Sequence, residues 1–222
     1  MGELLHLDQV TLRNQEGRAV FLTMDWSLPE GGRVHVQGAA GQGASALLRL
    51  CAGLAHPQEG RVILGGLPLD PYAFDHPFLK RGGIGWVPSG GGLLANLDLR
   101  ANVALPLRFL RGHTCTQALG IAQEHLERAG LGAQAGLRPH ALEPRDRWLG
   151  ALVRAEVSAP QLWLLDQPPE GMNHLPDGAK AILGEAVGKP TAAFLVVGSR
   201  PWSGAEREVV HLEQGRIVPG GL

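Results

Sequence analysis

Gly38-Ala39-Ala40-Gly41-Gln42-Gly43-Ala44-Ser45 is the stretch on which the reading of this chain turns. An alternating run, Arg33-Val34-His35-Val36-Gln37, leads into it, and a helix-like run from Ala46 to Ala52 leads out. Strand, glycine-rich loop and helix in that order are the setting of a phosphate-binding loop, G-x-x-x-x-G-K-[ST]. One marked position departs: Ala44 stands where the pattern has lysine. Gly38, Gly41 and Gly43 let the backbone approach a phosphate and turn its N–H groups inward. The helix that opens at Ser45 and Ala46 adds the partial positive charge of its N-terminus. The Ser45 hydroxyl is of the type that binds Mg²⁺ in such loops. The missing ammonium is worth roughly 1.5–3 kcal/mol as a charge-assisted hydrogen bond, so phosphate affinity falls on the order of ten- to a hundred-fold. The chain's lysines are Lys80, Lys180 and Lys189, and none adjoins the loop.

At 222 residues the chain makes one domain with a sizeable core. A net charge of −1 with mixed signs leaves no electrostatic footprint for nucleic acid. Cys51 and Cys115 lie in helix-like runs and read as buried thiols, which suits a reducing cytosol. The nine histidines are scattered without metal-ligand spacing. The N-terminus does not read as a signal peptide. The longest apolar run, Ala192 to Val197, is too short to span a membrane, so a membrane role comes through a partner.

Outward from the loop, Leu4–Leu12 and Val20–Leu28 read as strands joined by a polar turn, and Gly60–Leu64 and Ile84–Val87 as two more. The texture then changes. Asn102–Leu110, Thr116–Ala129 and Arg145–Ser158 show helical spacing between Gly/Pro breaks. They suggest a helical sub-domain over 89–158, set into an α/β core formed by 1–88 and 159–222. Leu162–Asp166 is an apolar strand that ends in an acid. Asp177–Val187 reads as a helix, and Thr191–Val197 as a strand covered on both faces. Val209–Glu213 and Arg216–Val218 close the chain as a hairpin.

In this order of parts the chain resembles the nucleotide-binding subunit of an ATP-binding cassette (ABC) transporter from end to end. Asp166-Gln167-Pro168 resembles the family's Walker B Asp-Glu-Pro. Leu142 stands twenty-four residues before Asp166, as the first residue of the family signature Leu-Ser-Gly-Gly-Gln does. Val153-Arg154-Ala155, Pro139-His140 and Glu213-Gln214-Gly215-Arg216-Ile217 match further family stretches. The resemblance implies a P-loop NTPase core with a mixed, mostly parallel sheet, an N-terminal antiparallel β part and an inserted helical sub-domain.

It also implies a job for each position, and nearly every job has lost its residue. No aromatic stands near Arg13–Gln15 to stack on adenine. The loop lysine is Ala44, and the glutamine that links cation, water and membrane partner is Ser89. The signature reads Leu142-Glu143-Pro144-Arg145-Asp146, and its Pro144 removes a backbone N–H from a loop that donates them. The catalytic glutamate is Gln167, whose amide cannot act as a general base. The loop usually written Ser-Ala-Leu-Asp reads Glu170-Gly171-Met172-Asn173, and the switch histidine is replaced near Ser199. Of the implied cofactors ATP and Mg²⁺, the cation would rest on Ser45 and Asp166. Asp166 reads equally well as a strand-end carboxylate satisfied by local backbone. Arg145, Arg147 and Arg154 read as a solvated face; Trp86, Trp148 and Trp163 read as core or groove residues.

One stretch keeps the family pattern: Gly90 to Arg108, with Leu93, Leu94, Leu97, Leu99, Val103 and Leu105 as apolar anchors. In the family it receives a short helix of the membrane subunit, and shape with apolar anchors suffices for that. Its Asn102–Arg108 ending is similar to cassettes of Mla/Mce-type lipid transporters. The alternative is plain core of the helical sub-domain. Three functions follow: a catalytically degenerate cassette that scaffolds or regulates a permease, a divergent but active ATPase, or a free-standing protein on this fold. The first implies a permease partner and a second cassette, identical or different, on the cytoplasmic side of the cell membrane.

Overall fold

The computed structural model of the chain describes residues 2–38, 43–70, 72, 75–169, 175–198 and 208–220. Two sheets organise them. The first is antiparallel, in the order β2-β1-β4-β5, from β1 (Glu3–Arg13), β2 (Ala19–Pro29), β4 (Glu59–Leu64) and β5 (Leu67–Pro68). The second runs β10-β9-β3-β8-β7-β6. In it β3 (Arg33–Gln37), β8 (Ala193–Gly198), β7 (Leu162–Asp166) and β6 (Ile84–Val87) are parallel neighbours. The strand β9 (Glu208–Glu213) is parallel to β3, and β10 (Arg216–Pro219) returns antiparallel to it.

The central strands are apolar throughout because both of their faces are covered. On β7 and β8, Leu162, Leu164, Ala193, Leu195 and Val197 join the core under the first sheet. Their alternate neighbours Trp163, Leu165, Phe194 and Val196 join a second core on the opposite side. The two-residue period of a strand therefore divides one apolar run between two cores. The first core holds α1 (Ala44–Cys51) through Leu47, Leu48 and Leu50. The second holds α3 (Leu99–Phe109), α4 (Cys115–Arg128), α5 (Pro144–Glu156) and α6 (Asp177–Gly188).

Local signals set the helix ends. Asp98 caps α3, its carboxylate accepting from the Ala101 N–H at 2.7 Å, so the helix begins before the expected Asn102. Thr114 and Gln117 form a reciprocal capping box at α4. Pro144 is the first residue of α5, where its missing N–H costs little. The Pro/Gly-rich connection after β4 contains β5 and a one-turn helix, α2 (Pro77–Lys80), capped by His76. No helix among the described residues is long and apolar enough to cross a membrane.

Several expectations need correction. Cys51 is buried, but Cys115 is exposed. Arg147 and Arg154 are half-buried, not a solvated face. The helix α5 is buried on most of its circumference, so their guanidinium groups turn to backbone carbonyls. Leu99 and Val103 are fully buried core residues and offer no surface for docking.

Candidate nucleotide site

The end of β3, the start of α1 and the end of β7 meet at one edge of the central sheet. Gly38 follows β3 directly. Gly43 is the cap residue of α1, at φ 95°. That conformation costs an L-residue about 1–2 kcal/mol, and a Cβ there would stand 2.4 Å from Val20 Cγ1. Glycine is thus required at 43 by both backbone and packing. Among the described residues no side chain caps this helix end, and the N–H groups of a first helical turn are suited to an anion. Ala44 and Ala46 pack partly against the first core, and Ser45 is exposed between them.

Ser45 Oγ donates to Asp166 Oδ1 at 3.2 Å, across 121 residues of chain. Asp166 is 4% exposed. Burial pushes its carboxyl above the ordinary carboxylate range, while Ser45 and the Ser89 backbone N–H pull the other way. Its own carbonyl accepts from Trp148 Nε1 at 3.3 Å, which fastens α5 to the end of β7. Both readings of Asp166 therefore have physical support: it has local partners, and it sits against a solvent-facing hydroxyl.

The site fits the group the resemblance implies. A glycine held left-handed, three uncapped N–H positions, a hydroxyl and a carboxylate form a donor set for a phosphate with its hydrated Mg²⁺. Among the described residues no group of three His, Cys, Asp or Glu side chains converges. A cation here would thus share its shell with phosphate and water. Ser45 and Asp166 would hold it, and it would neutralise phosphate charge.

Gln167 follows Asp166 at φ 45°, with its N–H donating to Val197 O at 2.8 Å. Its side chain is exposed at the strand end, where the resemblance puts the general base. Ser89 is exposed and reaches Asp166 only through its backbone. The signature positions stand at the start of α5: Leu142 is buried, Glu143 is an uncapping N-cap residue, Pro144 begins the helix, Arg145 is exposed and Asp146 half-buried. Gly41, Glu170–Asn173, Ser199 and Trp202 lie outside the described residues.

Two features escaped the sequence reading. Arg154 donates to Gly92 O at 2.8 Å and to Gly91 O at 3.3 Å, locking the glycine-rich loop before α3 onto α5. That loop also supplies the Ser89 N–H to Asp166, so α5 reaches the Ser45–Asp166 pair from two directions. His35, 0% exposed on β3, places Nε2 3.3 Å from Gly198 O, and burial lowers its pKa. A histidine between Val34 and Val36 in a covered strand was the available signal.

Residues 21–170 match the model of a family described as ABC transporter. The lipoprotein-releasing system ATP-binding protein LolD of Chromohalobacter salexigens is 34% identical over 191 residues, covering 84% of this chain and 80% of that protein. LolD of Pseudomonas syringae pv. tomato is 32% identical over 208 residues, 91% and 90% of the two chains. Among solved structures, the dimeric bacterial ABC transporter cassette MJ0796 superposes with a TM-score of 0.83 at 24% identity, covering 96% of each chain. The cbiO1 protein of Clostridium perfringens, part of the ABC transporter complex cbiONQ, superposes at 0.73 and 17% identity, covering 98% of this chain and 88% of that one. At these identities the two structures speak to the fold alone.

Proposed function

The chain belongs to the ABC transporter family, and on that premise we propose that it is a catalytically degenerate cassette, a scaffold or regulator of a membrane permease with weak or no ATP hydrolysis. The observation that carries this is Gln167 beside Asp166. The position for general-base work holds an amide, which takes no proton from water. Ala44 compounds the loss, since no ammonium stands where a transferring phosphoryl group needs one. ATP with Mg²⁺ would bind weakly, through the Gly43–Ala46 turn, Ser45 and Asp166.

The cassette would sit on the inner face of the cell membrane against its permease, paired with a second cassette, identical or different. The relatives' names supply the cargo class for this proposal, lipoprotein release. The Mla/Mce likeness rests on Asn102–Arg108 alone. Leu93, Leu94, Leu97 and Leu105 keep some exposure and are the anchors offered to the permease.

A second reading, a divergent but active ATPase, is favoured by the Ser45–Asp166 contact and by relatives named as ATP-binding proteins. The variant Ala44→Lys separates the two. Restoring the lysine alone gives no ATP turnover if Gln167 is limiting. Turnover in that single variant refutes the degenerate reading.

A further inference from the structure

The start of β2 lies against Gly43, the glycine that opens α1. A Cβ placed on Gly43 would stand 2.4 Å from Val20 Cγ1 and 3.4 Å from the Phe21 ring. Gly215, in the turn between β9 and β10, closes on the same two residues from the other side. A Cβ there would meet Val20 O at 2.6 Å and Phe21 Cα at 3.2 Å. Two close approaches thus clamp Val20 and Phe21, and they fix where the preceding residues stand relative to the α1 N-terminus.

Arg18 comes two residues before Val20. The pairing of β1 with β2 extends to it: Arg13 is opposite Ala19, and the Asn14 N–H donates to Arg18 O at 2.9 Å. With the chain extended there, Arg18 and Val20 share a face about 7 Å apart, a span that an arginine side chain covers. The Arg18 guanidinium is loosely held. Its Nε lies 3.4 Å from Glu16 Oε2, with the two side chains 82% and 68% exposed, and a pair so open to water contributes little. The neighbouring Arg13 is engaged instead, its Nη1 donating to Gly17 O at 3.2 Å and its N–H to Gln58 Oε1 at 2.7 Å. Asn14 is engaged within the turn, where Oδ1 accepts from the N–H groups of Glu16 and Arg18.

We infer that Arg18 supplies the cation that Ala44 lacks, reaching the polyphosphate tail of ATP from the turn between β1 and β2. The inference rests on the reading of this edge of the sheet as a weak Mg-ATP site and deepens it. The planar fork of a guanidinium suits two phosphate oxygens at once. It adds affinity for phosphate and does nothing for the general-base work that Gln167 cannot perform.

Calorimetric titration of the full chain with Mg-ATP and with Mg-tripolyphosphate tests this, in the parent and in Arg18→Ala, Arg18→Lys, Glu16→Ala and Arg61→Ala. Arg61, on β4 and paired with Asp8 at 2.8 Å, is the control for the loss of one positive charge. The expected result is that Arg18→Ala weakens both ligands by about ten-fold or more, as the loss of a charge-assisted hydrogen bond does. Arg18→Lys recovers part of that loss. Glu16→Ala, which frees the guanidinium, binds at least as tightly as the parent, and Arg61→Ala binds as the parent does. Parent-like affinity in Arg18→Ala overturns the inference, and so does an equal loss in Glu16→Ala or Arg61→Ala. A loss for Mg-ATP without one for tripolyphosphate also overturns it, because the arginine then meets the nucleoside. No binding of either ligand to the parent at millimolar concentration overturns the inference and leaves the degenerate-cassette reading standing. Phosphate release by the parent that Asp166→Ala abolishes overturns that reading and not this one.

Discussion

Replacing Arg154 by methionine keeps an unbranched apolar stem but removes the guanidinium that joins α5 to the loop of Gly91 and Gly92. Two charge-assisted hydrogen bonds disappear, one at 2.8 Å and one at 3.3 Å. Such bonds contribute roughly 1.5–3 kcal/mol each, and the longer one lies at the weak end. Against this stands the cost of burying the charge, which already lowers the pKa of Arg154 and which methionine does not incur. The net expectation is a loss of about 2 kcal/mol, and for a chain of this size a fall in Tm of about 4–8 °C. Circular dichroism melts and urea titrations read it. A double-mutant cycle locates the cause. Gly91 stands at φ 80°, and a Cβ there would meet Arg147 O at 2.6 Å, so Gly91→Ala pushes the same loop off α5. The loss in the double variant is then smaller than the sum of the two single losses, because either change breaks the same contact. A loss below about 0.5 kcal/mol in Arg154→Met, or full additivity in the cycle, refutes the latch.

Two shorter predictions follow from the same structure. Burial raises the Asp166 pKa, so the fold favours the protonated acid: its contribution is present below the unfolded carboxylate pKa and is lost as pH rises through the folded one. Asp166→Asn therefore has a higher urea midpoint than the parent at pH 7, and the gap closes below about pH 4; an equal or lower midpoint at pH 7 contradicts this. Cys115 is exposed, while Cys51 is fully buried with its thiol pushed up to about 12. A thiol reagent therefore labels Cys115 in the folded chain and Cys51 only after unfolding, and fast labelling of both in the native state contradicts the placement of α1.

The strands were the most legible part of the fold. Arg33–Gln37, Ile84–Val87 and Leu162–Asp166 are bounded as the apolar runs suggested, because turn residues end each run. Apolar spacing alone starts α3 at Asn102, three residues late, because the helix is set by its Asp98 cap and begins at Leu99. β5 and α2 are too short for any periodicity to register.

At the site, sequence brought Ser45 and Asp166 together only through a motif, since no local pattern links residues 121 apart. The three arginines show the limit of charge as a guide. Charge alone places Arg154 in solvent, whereas its partners, the carbonyls of Gly91 and Gly92, lie on another segment. Leu99 and Val103 show the complementary limit. An apolar residue on a surface helix reads alike whether it faces a partner or its own core, and both are 0% exposed.

The most direct test of the degenerate-cassette account is calorimetric titration of the purified chain with Mg-ATP, with phosphate release assayed on the same sample. The account predicts weak binding or none, and no phosphate release above the level of the Asp166→Ala variant. Steady release that Asp166→Ala abolishes would contradict it, and the divergent ATPase would take its place.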